Sequence, residues 1–170
     1  STGILWLMDK ARQTIMGVDP GTRGAIFSLT VEPTEPAIFK KASEELRKTY
    51  EYWPMPMNGK GRHNYNLDAI AAIVRDVFPN FLIIEKVTRP ASLVRCMGIF
   101  EAVGATLGIE THTVRPQVWK PFWKLSKDKA ESIARAQTLW PSLELKKKDD
   151  GIAEAGLIAE YWRRQEQFNC

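Results

Sequence analysis

The chain has 170 residues, 44% hydrophobic and 26% charged, with a formal net charge of +4. That size and balance suit one globular domain with a substantial core, and no run approaches the roughly 18 to 20 consecutive apolar residues a bilayer span needs. Two cysteines, Cys96 and Cys170, supply neither a disulfide framework nor metal-ligand spacing, which points to a reducing compartment.

Residues 15–18 are a short apolar run stopped by Asp19-Pro20-Gly21, and residues 25–31 read as the returning strand of a hairpin around 21–24. A third strand is expected at 37–40. Residues 41–64, rich in Lys, Glu, Pro and Gly, read as an insertion or long loop. Leu67, Ile70, Ala71, Val74 and Val77 recur at helical spacing, Pro79-Asn80 ends that helix, and 81–84 is a buried strand. A second helix covers 91–107, and 109–114 alternates like a strand until Arg115-Pro116 breaks it. Residues 128–139 read as a helix with Asp128 near its start, closed by Trp140-Pro141, and 151–165 as the last helix. Strands alternating with helices after an initial hairpin imply an α/β fold with a mixed sheet.

Acidic residues stand at three stations along this order: Asp19 after the first strand, Glu85 at the end of 81–84, and Asp149-Asp150-Gly151-Ile152-Ala153-Glu154 at the start of the last helix. Carboxylates gathered where strands end beside a helix repel one another, and divalent cations are the usual means of holding that repulsion in check. The competing readings are a plain turn for Asp19, a solvated strand end for Glu85 and helix capping for Asp149 or Asp150. Asp150 and Glu154 stand four apart, on one helix face, where like charges cost about 0.2 to 0.5 kcal/mol unless a cation lies nearby. Bases flank the acids: Arg115, Lys120, Lys124, Lys127 and Lys129 against Asp128, then Lys146-Lys147-Lys148. Bases beside acids suggest an anionic substrate. Trp119 and Trp123, also four apart, fit either aromatic stacking on nucleic acid or a core-facing stripe, while His63 and His112 do not cluster with the acids.

The motif order resembles the RuvC-type Holliday-junction resolvases of the ribonuclease H-like superfamily, closest to their plant-chloroplast and phage-like branches, over most of the chain. Ile15-Met16-Gly17-Val18-Asp19-Pro20-Gly21-Thr22-Arg23 is similar to their first strand and catalytic acid, and Leu82-Ile83-Ile84-Glu85-Lys86-Val87 to their second acidic strand. Thr113-Val114-Arg115-Pro116-Gln117-Val118-Trp119-Lys120 is similar to the segment after the next strand, and Lys147-Lys148-Asp149-Asp150-Gly151-Ile152-Ala153-Glu154-Ala155 to their acidic helix start. Two departures stand out: Lys86-Val87-Thr88 holds no aromatic where the bacterial enzymes carry one, and the last acid is Glu154, spaced four from Asp150 rather than three.

The resemblance implies an α/β, ribonuclease H-like mixed five-stranded sheet flanked by helices, as a single RuvC-like nuclease domain over 1–170. It implies an endodeoxyribonuclease that resolves four-way junction DNA by paired, metal-dependent phosphodiester hydrolysis, acting as a homodimer without a membrane partner. Two Mg²⁺ per active site, or Mn²⁺, would be bridged by Asp19 and completed by Glu85, Asp150 and Glu154, with Asp149 as alternate. Lys127 matches an active-site lysine of the plant branch and Lys129 is its rival by the bacterial pattern. Arg89, Arg95, Arg115, Lys120, Lys124, Lys129 and Lys147 form the expected DNA surface, and 41–64 would touch junction arms or bases. Gly98, Ala102 and Ala105 on the helix 91–107, with Gly104 and Gly108 adjacent, suggest the dimer interface. Lacking a signal or transit pattern, the protein is expected in the cytoplasm of a bacterium or phage-infected host, or in an organelle matrix or stroma after removal of a transit segment. Two other functions compete: an actin-like ATPase or phosphotransferase, whose first phosphate loop Asp19-Pro20-Gly21-Thr22 also resembles, and a catalytically silent nucleic-acid-binding module.

Overall fold

The apolar run 15–18 becomes the centre of the sheet. A computed structural model describes residues 12–33 and 46–168; the strand expected at 37–40 lies outside the described residues. Five strands, β1 (Gln13–Asp19), β2 (Ala25–Pro33), β3 (Leu46–Pro54), β4 (Phe81–Glu85) and β5 (Glu110–Val114), lie in the order β3-β2-β1-β4-β5. The first three are antiparallel neighbours, whereas β4 pairs parallel with both β1 and β5. Among the described residues five helices accompany them: α1 (Leu67–Val77), α2 (Ala91–Leu107), α3 (Pro116–Phe122), α4 (Lys129–Leu139) and α5 (Asp150–Phe168).

Period-two alternation divides the core. Ile15, Phe27, Leu29, Ile83 and Val114 face α5 and its neighbours, meeting Ala153, Leu157, Ile158, Trp119, Trp123 and Trp140. Met16, Val18, Ile26, Leu82 and Ile84 face the other way, onto Ile70 and Val74 of α1 and Cys96 and Phe100 of α2. α5 lies unusually close to the sheet because glycine lets it. A Cβ on Gly17 would collide with the Ala155 carbonyl, and one on Gly151 with the Arg23 carbonyl in the β1–β2 turn. The cap residues follow their chemistry: Asn66 accepts from the Ala69 N–H at 3.0 Å and Asp128 from the Ala130 N–H at 2.9 Å.

Two expectations need correction, and the strand break at Arg115-Pro116 holds but does more than expected. The stretch 41–64 is not one long loop, since Leu46–Pro54 is an edge strand paired to β2 along its length; beyond it, Met55 and Tyr65 are buried, and the Tyr65 hydroxyl donates to the Ser92 carbonyl at 2.8 Å. Arg115-Pro116 ends β5 but also opens α3, with Pro116 in the first turn, where a missing N–H costs nothing. Gly104, grouped by sequence with the small-residue stripe of α2, is buried against Leu82 and Thr111, whereas Gly98, Ala102 and Ala105 are exposed. Among the described residues no helix is long and apolar enough to cross a membrane.

Candidate active site

Sheet register brings the first two acids together. Val18 pairs with Ile84, so Asp19 and Glu85, one residue on, end neighbouring parallel strands at the same edge. Alternation turns both toward the α5 layer, in phase with Ile15 and Ile83. α5 brings the others. Its first residue is Asp150, Glu154 follows one turn later, and Gly151 seats that turn against the β1–β2 hairpin.

The charge balance at this edge is unfavourable. The pKa of half-buried Asp19 is held well above its usual 3.8, first by loss of solvent and then by Glu154 and Glu85, with Asp150 adding a smaller push; Lys120 pulls the other way. Glu85, 8% exposed, is raised by burial and by Glu154, against Lys120 and a hydrogen bond from Trp119. Two lysines answer the acids of α5. Lys129 Nζ lies 2.9 Å from Asp150 Oδ2, and Lys120 Nζ lies 3.3 Å from Glu154 Oε1, to which the buried Ser132 hydroxyl also donates at 3.4 Å. The hydrogen bond and charge of Asp150 in turn raise the Lys129 pKa.

Asp149 and Asp150 separate cleanly. Asp149 Oδ2 accepts the Lys146 N–H at 2.8 Å and its carbonyl takes the first helical bond, from Ala153. Asp149 thus holds the N-cap position by its backbone while its carboxylate closes the preceding turn; Asp150 is the one whose charge reaches Asp19. Lys127 is exposed in the turn between α3 and α4 and forms no ion pair among the described residues, whereas Lys129 meets an acid. Arg89, Arg95, Arg115, Lys124 and Lys147 are exposed; of the other two residues expected on the DNA surface, Lys129 is exposed and Lys120 half-buried, and both also pair with carboxylates. His63 is exposed, and His112 pairs with Glu110 at 2.8 Å and stacks on Trp162. Burial pushes the Cys96 thiol up to about 11, which removes it as a nucleophile.

Sequence reasoning missed the roles of Trp119 and Ser132. Trp119 is fully buried and donates its indole N–H to Glu85 Oε2 at 2.8 Å, while Trp123 donates to the Leu157 carbonyl at 3.0 Å. The tryptophans are therefore a core-facing stripe, not a stacking platform. The available signal was that a buried indole needs an acceptor.

An all-carboxylate set suits a hard divalent cation. Among the described residues no three acidic, His or Cys side chains stand close enough to hold an ion as they are, with Asp150 and Glu154 turned to their lysines. The fit lies in donor type and charge: four carboxylates face two lysines, and the pKa values of Asp19 and Glu85 are both raised, first by burial and also by the charge of Glu154.

No protein-family model matches the chain, and no curated protein matches it. Solved structures do. Thermus thermophilus RuvC shares 13% identity at a TM-score of 0.56, over 90% of this chain and 96% of that one. The same protein in complex with a Holliday junction substrate shares 15% at 0.58, over 89% and 96%. The fowlpox virus Holliday junction resolvase shares 14% at 0.59, over 89% and 99%. The chain thus has the RuvC-like resolvase fold, a ribonuclease H-like α/β arrangement on a mixed five-stranded sheet.

Proposed function

We propose that this chain, built on the RuvC-like fold, is a divalent-metal-dependent endonuclease that resolves four-way DNA junctions by paired cuts as a homodimer. The observation that carries this reading is Asp19, at the end of the central strand, with Glu154, Glu85 and Asp150 as charged neighbours. Substrate class is supported by two structures of the same fold, one a RuvC in complex with a Holliday junction substrate and one a fowlpox virus resolvase with junction DNA.

Asp19, Glu85, Asp150 and Glu154 would hold the Mg²⁺ or Mn²⁺ ions, whose chemistry when bound is to activate a water and stabilise the leaving oxygen of phosphodiester hydrolysis. Asp19 occupies the centre of the set, and its partial burial strengthens every charge interaction there. Lys120 and Lys129 neutralise Glu154 and Asp150 at rest and would turn to the phosphate once those carboxylates become ligands. Lys129, rather than Lys127, therefore takes the active-site lysine role. The exposed Arg89, Arg95, Arg115, Lys124 and Lys147 would take phosphates of the junction arms, making affinity salt-dependent.

The test is Asp19→Asn on a labelled four-way junction beside a matched duplex, with single-turnover cutting in Mg²⁺ and gel-shift affinity in Ca²⁺. Cutting should fall by at least about 10²- to 10⁴-fold, while binding holds or tightens as a negative charge near phosphate disappears. Near-normal cutting by the variant would sink the metal assignment. Wild-type protein without junction preference would sink the resolvase reading.

A further inference from the structure

We propose that Trp119 is a positioning residue for the second acid, fixing the Glu85 carboxylate through its indole N–H; this deepens the endonuclease reading and rests on it for its catalytic consequence. A carboxylate as enclosed as Glu85 needs donors. Among the described residues the one side chain that donates to it is Trp119, at 2.8 Å to Oε2, which leaves Oε1 without such a partner. The indole suits this task. It is a donor only, so it cannot take a proton from the site or compete as a ligand, and its ring has few rotamers to lose.

Trp119 is itself held. It is fully buried on α3, a seven-residue helix between β5 and α4, and Trp123 on the next turn is anchored to the Leu157 carbonyl of α5 at 3.0 Å. The adjacent residue, Lys120, reaches Glu154 on α5. One short helix thus sends consecutive side chains to the acid on β4 and the acid on α5. It sets where Glu85 points relative to the α5 carboxylates. Removing such a supporting hydrogen bond from a ligand typically costs 10- to 100-fold in metal affinity or activity.

The experiment uses Trp119→Phe, which keeps an aromatic ring in the core but removes the N–H, beside Trp123→Phe, which makes the same cut in ring size while removing the bond to Leu157 and the indole face under Arg164. Mn²⁺ binding to the free protein is measured by calorimetry, and the six tryptophan indole N–H signals are followed by ¹⁵N NMR. Expected results are 10- to 100-fold weaker Mn²⁺ binding in Trp119→Phe, less than about threefold change in Trp123→Phe, and no additional loss when Trp119→Phe is combined with Glu85→Gln. The indole signal missing from Trp119→Phe should be the one that moves most in Glu85→Gln.

Unchanged Mn²⁺ affinity in Trp119→Phe, an equal loss in Trp123→Phe, full additivity with Glu85→Gln, or failure of Trp119→Phe to fold would each overturn the proposal, the last by making the indole purely structural. Protein that shows the expected Mn²⁺ pattern yet cuts no junction would overturn the endonuclease reading alone. Wild type that cuts junctions while Trp119→Phe binds Mn²⁺ and cuts equally well would overturn the Trp119 role alone.

Discussion

At its N-terminal turn α5 carries Asp150 and Glu154 against Lys129 and Lys120; farther along, the same helix carries Glu160 against Lys48, Arg163 and Arg164. Glu160 is fully buried, yet it accepts from Arg163 Nε at 2.8 Å and Nη2 at 2.7 Å, from Lys48 Nζ at 2.9 Å and from Arg164 Nε at 3.2 Å. Burial alone would raise its pKa, but the bonds and charges of Arg163 and Lys48 outweigh it and hold the group below its usual 4.5. Around Asp19 burial acts in the same direction and the cations are too few, so the shift is upward. A buried carboxylate outnumbered by cations ties a helix to a strand. One that outnumbers its cations stores a demand for positive charge, which an ion and a phosphate-binding lysine can meet.

Breaking the cation-rich end should produce the largest loss of stability. Glu160→Gln leaves Lys48, Arg163 and Arg164 facing one another around a neutral group, and a buried pair broken from one side typically costs about 3 to 5 kcal/mol. Urea unfolding at pH 7 measures it, and a loss below about 1 kcal/mol would show that the network contributes little. Next in size is Gly17→Ala, whose methyl would strike the Ala155 carbonyl and push α5 off β1. Overpacking of this kind costs about 1 to 3 kcal/mol, and here it also moves Asp150 and Glu154 away from Asp19. Both the melting temperature and the Mn²⁺ affinity should therefore drop; a drop in melting temperature alone would uncouple the close approach from the site.

The acid-rich end should respond with the opposite sign. Because the folded pKa of Asp19 is raised, its contribution to stability is greatest below about the unfolded value of 3.8 and is lost as pH rises through the folded value. Asp19→Asn should thus raise the melting temperature at pH 7 in chelator, with the gain shrinking as pH falls toward 4. For Glu160, with its lowered pKa, stability is present above 4.5 and lost as pH falls through the folded value. Melting curves against pH for wild type and Asp19→Asn check this, and a destabilised variant at pH 7 would contradict the charge imbalance. The smallest effect on the fold itself belongs to Ala102→Glu, on the exposed face of α2, where surface changes usually stay within about 0.5 kcal/mol. It leaves both ends of α5 intact but should yield a monomer that no longer makes paired cuts. Sedimentation decides: wild type running as a monomer at micromolar concentration would remove α2 from the interface.

Central strands were readable because β1 and β4, covered on both faces, spell continuous apolar runs ending in Asp19 and Glu85. The edge strand Leu46–Pro54 was not, since its half-buried and exposed residues include Arg47, Lys48 and Glu51 and its identity comes from pairing with β2. α3 was hidden by Pro116 and Pro121, which look like breaks until one is seen to open a helix and the other to sit near its end.

The kinds of acid, their order and the strands that carry two of them could be written down from residue types alone, because apolar runs and helical spacing are local properties. Which of Asp149 and Asp150 faces Asp19, and which of Lys120, Lys127 and Lys129 meets a carboxylate, could not. Those choices depend on the turn at Lys146 that claims Asp149, and on how α3 and α4 pack against α5. A charge interaction is set by distance and by exclusion of water. Neither is carried by a residue's identity, and here both were decided when α5 settled against Gly17.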